Sequence, residues 1–136
     1  MGIELAWDNE DQVIIRLTYD RPWTWNDFYT AYDNMDMMIN SVSHDVSLLI
    51  DVRKAGFPPS GAPQHFKRVT QTKHPNIRNI VFVGLPLIVR SFLSIVTANQ
   101  KGNSETNNFL FMSSIDVART AIIKDHAERK AETLVE

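Results

Sequence analysis

VSLLIDVRKAGFPPSGAPQHF, residues 46–66, begins as an apolar run, turns polar at Asp51 and passes two prolines to reach a Ser-Gly pair. Val46 to Asp51 has the composition of a central parallel strand, which is covered on both faces and therefore shows little alternation. The loop that follows leads to Ser60-Gly61 at the mouth of a helix predicted from about Ser60 to Lys73. That helix stops near His74-Pro75, because the residue before a proline resists the helical region. Ile80-Val81-Phe82-Val83 is a second buried run. A strand, a helix and a strand in succession imply a parallel pair joined by a crossover.

Upstream, Ile3, Leu5 and Trp7 alternate with Glu4 and Ala6, and the polar stretch Asp8 to Gln12 leads into Val13 to Tyr19. That pattern predicts an antiparallel hairpin. Trp23 to Phe28 reads as a helix start, with Thr24 as N-cap, Asp27 three residues later, and Trp23 and Phe28 spaced for a hydrophobic staple. Phe28, Ala31, Tyr32, Met35, Met38, Ile39 and Val42 then follow the three-four spacing of one apolar face. Downstream, Pro86 suits the first turn of a third helix continuing to about Gln100, which Lys101 to Ser104 ends. Asn108 to Met112 is the last predicted strand. Ser113 or Ser114, with Asp116, caps a fourth helix expected to turn Val117, Ala118, Ala121 and Ile122 inward. The domain is predicted over residues 1–124, and residues 125–136 read as a polar helical or frayed tail. The resulting expectation is a single α/β domain, a mixed sheet of about five strands with four helices in the order β-β-α-β-α-β-α-β-α.

Composition fits that reading. At 136 residues with 43% hydrophobic and 22% charged residues, the chain has the size and balance of one globular domain rather than a disordered or membrane protein. Cysteine is absent, which excludes disulfides, thiolate metal sites and a cysteine nucleophile and fits a reducing compartment. The N-terminus lacks the basic start and apolar core of a signal peptide, so the cytoplasm is the expected location. Ile80 to Ala98 is the nearest approach to a transmembrane run, but Gly84-Leu85-Pro86 interrupts it. Net charge is only −2, yet residues 1–50 hold two basic and nine acidic residues while residues 51–101 hold eight basic residues and a single acid, Asp51. A basic block of this kind suits an anionic ligand, an acidic partner or self-association with the acidic first third, and equally a solvated surface. No basic and aromatic stripe points to nucleic acid.

The element order, with Trp7-Asp8 before the hairpin turn, Trp23 to Phe28 at the first helix, Leu48 to Asp51 as the third strand and Ser60-Gly61 at the second helix, resembles STAS domains. These form the fold of the bacterial anti-sigma-factor antagonists, which is also similar to lipid-binding Sec14-like domains. The chain looks most like the small stand-alone bacterial STAS-like proteins that lack an assigned activity. The resemblance covers the chain to about Lys124. It implies a non-enzymatic regulatory or protein-binding module in which Ser60, matching the serine that a kinase phosphorylates in the antagonists, is the switch. Where the family's usual pattern has an aspartate just before the serine, this chain has Phe57-Pro58-Pro59.

Read from the residues alone, Ser60 has three readings. As an N-cap its hydroxyl would satisfy an orphan helix amide, worth about 1 kcal/mol. As a phosphorylation site it would place a dianion at a positive helix end, beside Arg53, Lys54, Lys67 and Arg68. As a nucleophile it would need His65 and Asp51, but no strand-turn-helix elbow with flanking glycines accompanies them. The expected partner or ligand surface comprises Asp51, Arg53, Ser60, Gly61, Lys67, Arg68, Arg90 and Phe92. The alternative function is a carrier or sensor of a small apolar anion, such as a fatty acid or lipid, in a cavity near helix three. Leu87, Ile88, Val89, Phe92, Leu93, Ile95 and Val96 would line it with the flexible Met35, Met37 and Met38. Asp33 and Asp36 share a helix face and read as solvated, and His44, His65, His74 and His126 show no metal-ligand spacing. No motif for a cofactor or nucleotide is present.

Overall fold

The computed structural model describes residues 2–70, 74–84 and 108–135. Five strands, β1 (Gly2–Trp7), β2 (Ile14–Asp20), β3 (Val46–Lys54), β4 (Ile77–Val83) and β5 (Asn108–Met112), form one sheet in the order β1-β2-β3-β4-β5. β1 and β2 pair antiparallel, and β2 through β5 are parallel neighbours. The α/β class and the mixed five-stranded sheet expected from the pattern are therefore present. Among the described residues three helices accompany it: α1 (Trp25–Asn40), α2 (Ala62–Thr70) and α3 (Ile115–Val135). The expected third helix, Pro86 to about Gln100, lies outside the described residues, so α3 is the helix predicted as the fourth.

Local chemistry accounts for these elements. Asn9 Oδ1 accepts from the amides of Val13 (3.2 Å) and Ile14 (3.1 Å) and closes the hairpin turn. Thr24 caps α1 through the amide of Asp27 (3.1 Å), while Asp27 Oδ2 accepts from the Thr24 amide (2.9 Å), a complete capping box. Trp23 and Phe28 lie 6.4 Å apart between ring centroids, as the staple spacing requires. Ser114, not Ser113, caps α3, its hydroxyl accepting from Val117 N at 3.3 Å.

The core has two layers because the central strands are covered on both faces. Leu48 and Ile50 of β3, with Ile15, Leu17 and Tyr19 of β2, meet Phe28, Ala31, Met35 and Ile39 of α1, and Phe66 of α2 packs onto the same cluster. The alternate residues Ile14, Leu49, Val81 and Val83 meet Ala118 and Ile122 of α3. The two sets alternate along the strands as the period of two demands. Full burial of a side chain the size of Phe28 contributes about 2–3 kcal/mol.

One expectation changes. Ala118 and Ile122 face the sheet, Ala121 is half-buried, but Val117 is 58% exposed, since it lies about 100° round the helix from Ala118. The last helix runs on past Lys124 to Val135, and Asp125 and His126 make long-range contacts from it. Asp125 accepts from both nitrogens of the Arg78 fork and from Asn79 Nδ2 (2.8 Å), and His126 Nε2 lies 2.7 Å from Ser47 Oγ. Among the described residues no helix is long and apolar enough to cross a membrane.

Candidate functional site

The loop between β3 and α2 leaves the carboxyl ends of the parallel strands, the end where open α/β sheets place their ligands. Two tryptophans on either side of the α1 N-cap, Trp23 and Trp25, hold this loop at both ends. Trp23 donates its indole N–H to the Ala55 carbonyl (3.0 Å), and Trp25 donates its own to the Ser60 carbonyl (2.7 Å). Between these anchors the chain turns at Gly56, φ +65°, with the Arg21 side chain packed beneath it. The prolines at 58 and 59 remove two backbone donors and fix φ in the same segment. Phe57, between the turn and the prolines, is 82% exposed.

Trp25 also stacks on His65 at 4.2 Å between centroids and meets Phe66 edge-on. His65 Nδ1 is 2.6 Å from the Tyr29 hydroxyl, and the Arg68 guanidinium lies 5.5 Å from the Tyr29 ring centroid. An aromatic platform thus joins the first turn of α1 to the first turn of α2. In the sequence Trp25 reads only as part of a helix start. The available signal was its spacing of four from Tyr29, which sets both rings on one flank of α1.

Ser60 and Gly61 are exposed, and the helix starts at Ala62. The Gly61 carbonyl accepts from His65 N at 3.2 Å, and Gly61 has φ +88°. The capping position is therefore held by glycine. Ser60 stands one residue too early, and its hydroxyl makes no bond to a helix amide among the described residues. This corrects the N-cap reading of Ser60.

Asp51 and Arg53 form a separate unit. Arg53 Nε and Nη2 lie 2.9 and 2.8 Å from the two Asp51 carboxylate oxygens, and the Arg53 amide adds a third bond at 3.1 Å. The hydrogen bond from Arg53 lowers the Asp51 pKa below its ordinary value of 3.8 against the opposing effect of burial. Gly84 makes room for this pair, since a Cβ there would stand 2.3 Å from Arg53 Cγ. Asp51 continues the β3 face of Leu49, toward α3, whereas the Ser60 loop is fastened to α1. Ser60 and His65 therefore both meet Trp25 on the α1 side, whereas Asp51 is held by Arg53 on the face toward α3, apart from them. Lys67 and Arg68 lie exposed in the last turns of α2. Arg90 and Phe92, with the rest of the apolar set from Leu87 to Val96, lie outside the described residues. Of the expected methionine lining, Met35 is buried, Met38 half-buried and Met37 69% exposed.

A second polar cluster lies at the opposite end of the sheet. Ser47, fully buried, meets His126, and Arg129 approaches Asp45 at 3.6 Å. Burial lowers the His126 pKa below 6.5, and Arg78 and His44 act in the same direction against Asp125 and Asp45. His74 Nε2 contacts Asp36 at 2.6 Å. Tyr32 nearby is pushed up to about 12, first by burial and then by Asp36. Among the described residues no three His, Cys, Asp or Glu side chains gather as a metal site.

No family model, no curated protein and no solved structure matches this chain.

Proposed function

We propose that the chain is a STAS-like, non-enzymatic protein-binding or regulatory module of the bacterial cytoplasm, with the loop 55–61 as its reading surface and Ser60 as its switch. The observation that carries this reading is the combination of an exposed serine with a fixed backbone. The Ser60 carbonyl is held by Trp25 at 2.7 Å while the Ser60 side chain faces solvent, open to a modifying enzyme. Release of the hydroxyl from capping duty favours this role, because modification then costs no helix cap. A phosphate there would add a charge of about −1.5 to −2 just before the first amides of α2. It would lie at the positive end of α2 and in the same loop as Phe57, changing both charge and shape on one small surface.

Purification from cells that express the protein natively, followed by native mass measurement and peptide mapping, tests the reading. Phosphate on the 51–66 peptide, localised to Ser60, supports it. A chain that stays unmodified across growth phases counts against it, and one that carries a small apolar mass supports the carrier reading instead.

A further inference from the structure

We propose that the outer face of α1, together with the loop 55–61, receives a second copy of this chain, giving a closed twofold dimer in which Phe57 of each copy packs on Met37 of the other. The inference does not depend on modification of Ser60.

Phe57 and Met37, 82% and 69% exposed, are the two most exposed large apolar residues among those described. Single exposed apolar side chains are ordinary on a soluble surface, so the argument rests on how these two are placed and charged. Both belong to the α1 side of the sheet. Phe57 lies in the loop that Trp23 and Trp25 tie to the beginning of α1. Met37 lies in the last turn of the same 16-residue helix, about 24 Å of helix length being set by the 1.5 Å rise. Two α1 helices packed antiparallel about a twofold axis bring the beginning of one against the end of the other. Phe57 then meets Met37 of the other copy, and the contact occurs twice, as an isologous interface requires.

Charge selects the same arrangement. Around Phe57 the free cations are Arg21, whose side chain lies under Gly56, and the exposed Lys54; neither is in an ion pair among the described residues. Beside Met37, exposed Asp33 stands four residues earlier on the same helix face, and α1 carries no lysine or arginine. Seating Phe57 on Met37 of the other copy brings the cations that flank Phe57 toward the Asp33 that flanks Met37, while parallel packing would set Asp33 against Asp33. The loop is also preorganised by its two indole bonds, so seating Phe57 orders little that is not already ordered. A membrane surface fits less well, because one aromatic and a few cations fall short of the two signals stable anchoring takes.

The absence of cysteine makes the test direct. Met37→Cys and Phe57→Cys variants, each checked for folding by circular dichroism, are oxidised singly and as an equimolar mixture. The dimer predicts a mixed disulfide that forms at least tenfold faster in the mixture than either single variant dimerises alone, and that advantage disappears in urea. Equal rates in mixture and single variants overturn it. Sedimentation equilibrium of the unaltered protein gives an independent reading. A dimer that weakens as salt rises, falls to monomer in Arg21→Glu/Lys54→Glu and returns when Asp33→Lys is added supports the proposal. A monomer at all protein concentrations up to 100 micromolar, on the order of the weakest dimers worth naming, overturns it.

Discussion

His126 Nε2 lies 2.7 Å from the Ser47 hydroxyl and joins the second half of α3 to the beginning of β3 across 79 residues of sequence. Ser47 is fully buried, so its hydroxyl has little alternative to this partner. Because burial depresses the His126 pKa below 6.5, the unfolded chain binds the proton first as pH falls. Native stability therefore decreases as pH drops below about 6.5 and levels off once the lower folded pKa is passed. Urea unfolding at pH 7 and pH 5 should show this loss in the parent protein and a smaller loss in His126→Gln. Ser47→Ala should cost about 1 kcal/mol at pH 7, the typical net value of one hydrogen bond. An unchanged pH slope in His126→Gln would remove the buried histidine from the account.

Asp8 sets a second long-range link. Its side chain is 1% exposed and receives Arg119 at 2.5 and 3.0 Å and Arg16 at 3.0 Å, fastening α3 to the hairpin. The hydrogen bond from Arg119 leads in lowering its pKa below 3.8. A depressed carboxylate contributes stability that is complete above its unfolded pKa and is lost as pH falls through the folded value. Asp8→Asn should cost about 2 kcal/mol at neutral pH, less than the 3–5 of a fully buried pair because both guanidinium groups still reach water. It should also flatten the acid limb of the stability curve below about pH 4, the ordinary carboxylate range. Thermal unfolding monitored by tryptophan fluorescence from pH 2 to pH 7 checks both.

These two links show where the sequence is silent. The hairpin, the capping box at Thr24 and the doubly covered β3 follow from spacing over a few residues, and the structure bears them out. Asp125 and His126 looked like part of a polar tail because their partners Arg78, Asn79 and Ser47 are 46 to 79 residues away, and no local pattern encodes such pairs. The phase of α3 was ambiguous for a different reason. Val117, Ala118, Ala121 and Ile122 are all apolar, and only packing decides that the stripe centres on Ala118 and Ile122. At the loop, the error concerned one residue. Serine is the better N-cap by preference, but the indole bond from Trp25 and the positive φ of Gly61 leave glycine in that place. The Asp51 and Arg53 pair was within reach, since residues two apart share a strand face.

Two glycines with similar backbones should respond differently to alanine. Gly84 has φ +79° and Gly61 φ +88°, so either substitution incurs the left-handed penalty of about 1 kcal/mol. At Gly61 the new methyl group would meet His65 at 3.5 Å, an ordinary contact. At Gly84 it would stand 2.3 Å from Arg53 Cγ and 3.1 Å from Arg53 Cα, so the side chain that holds Asp51 must move. Gly84→Ala should therefore lose about 3 kcal/mol or more, combining strain with a disrupted ion pair, against about 1 for Gly61→Ala. Arg53→Ala should relieve part of the Gly84→Ala cost in a double-mutant cycle. Strict additivity of the two changes would separate Gly84 from the Asp51 and Arg53 unit.

The capping assignment makes a paired prediction about serines. Ser114 accepts a bond from Val117 N at 3.3 Å and begins α3, so Ser114→Ala should cost about 1 kcal/mol, the usual value of an N-cap side chain. Ser60 is exposed and precedes the glycine that occupies the capping position of α2, so Ser60→Ala should stay within about 0.5 kcal/mol of the parent protein. Both are read from urea midpoints at constant m-value. A Ser60→Ala loss as large as that of Ser114→Ala would return the hydroxyl to the helix. A silent Ser60→Ala fits a hydroxyl that α2 does not use, the condition under which its modification can alter a binding surface without unfolding the protein.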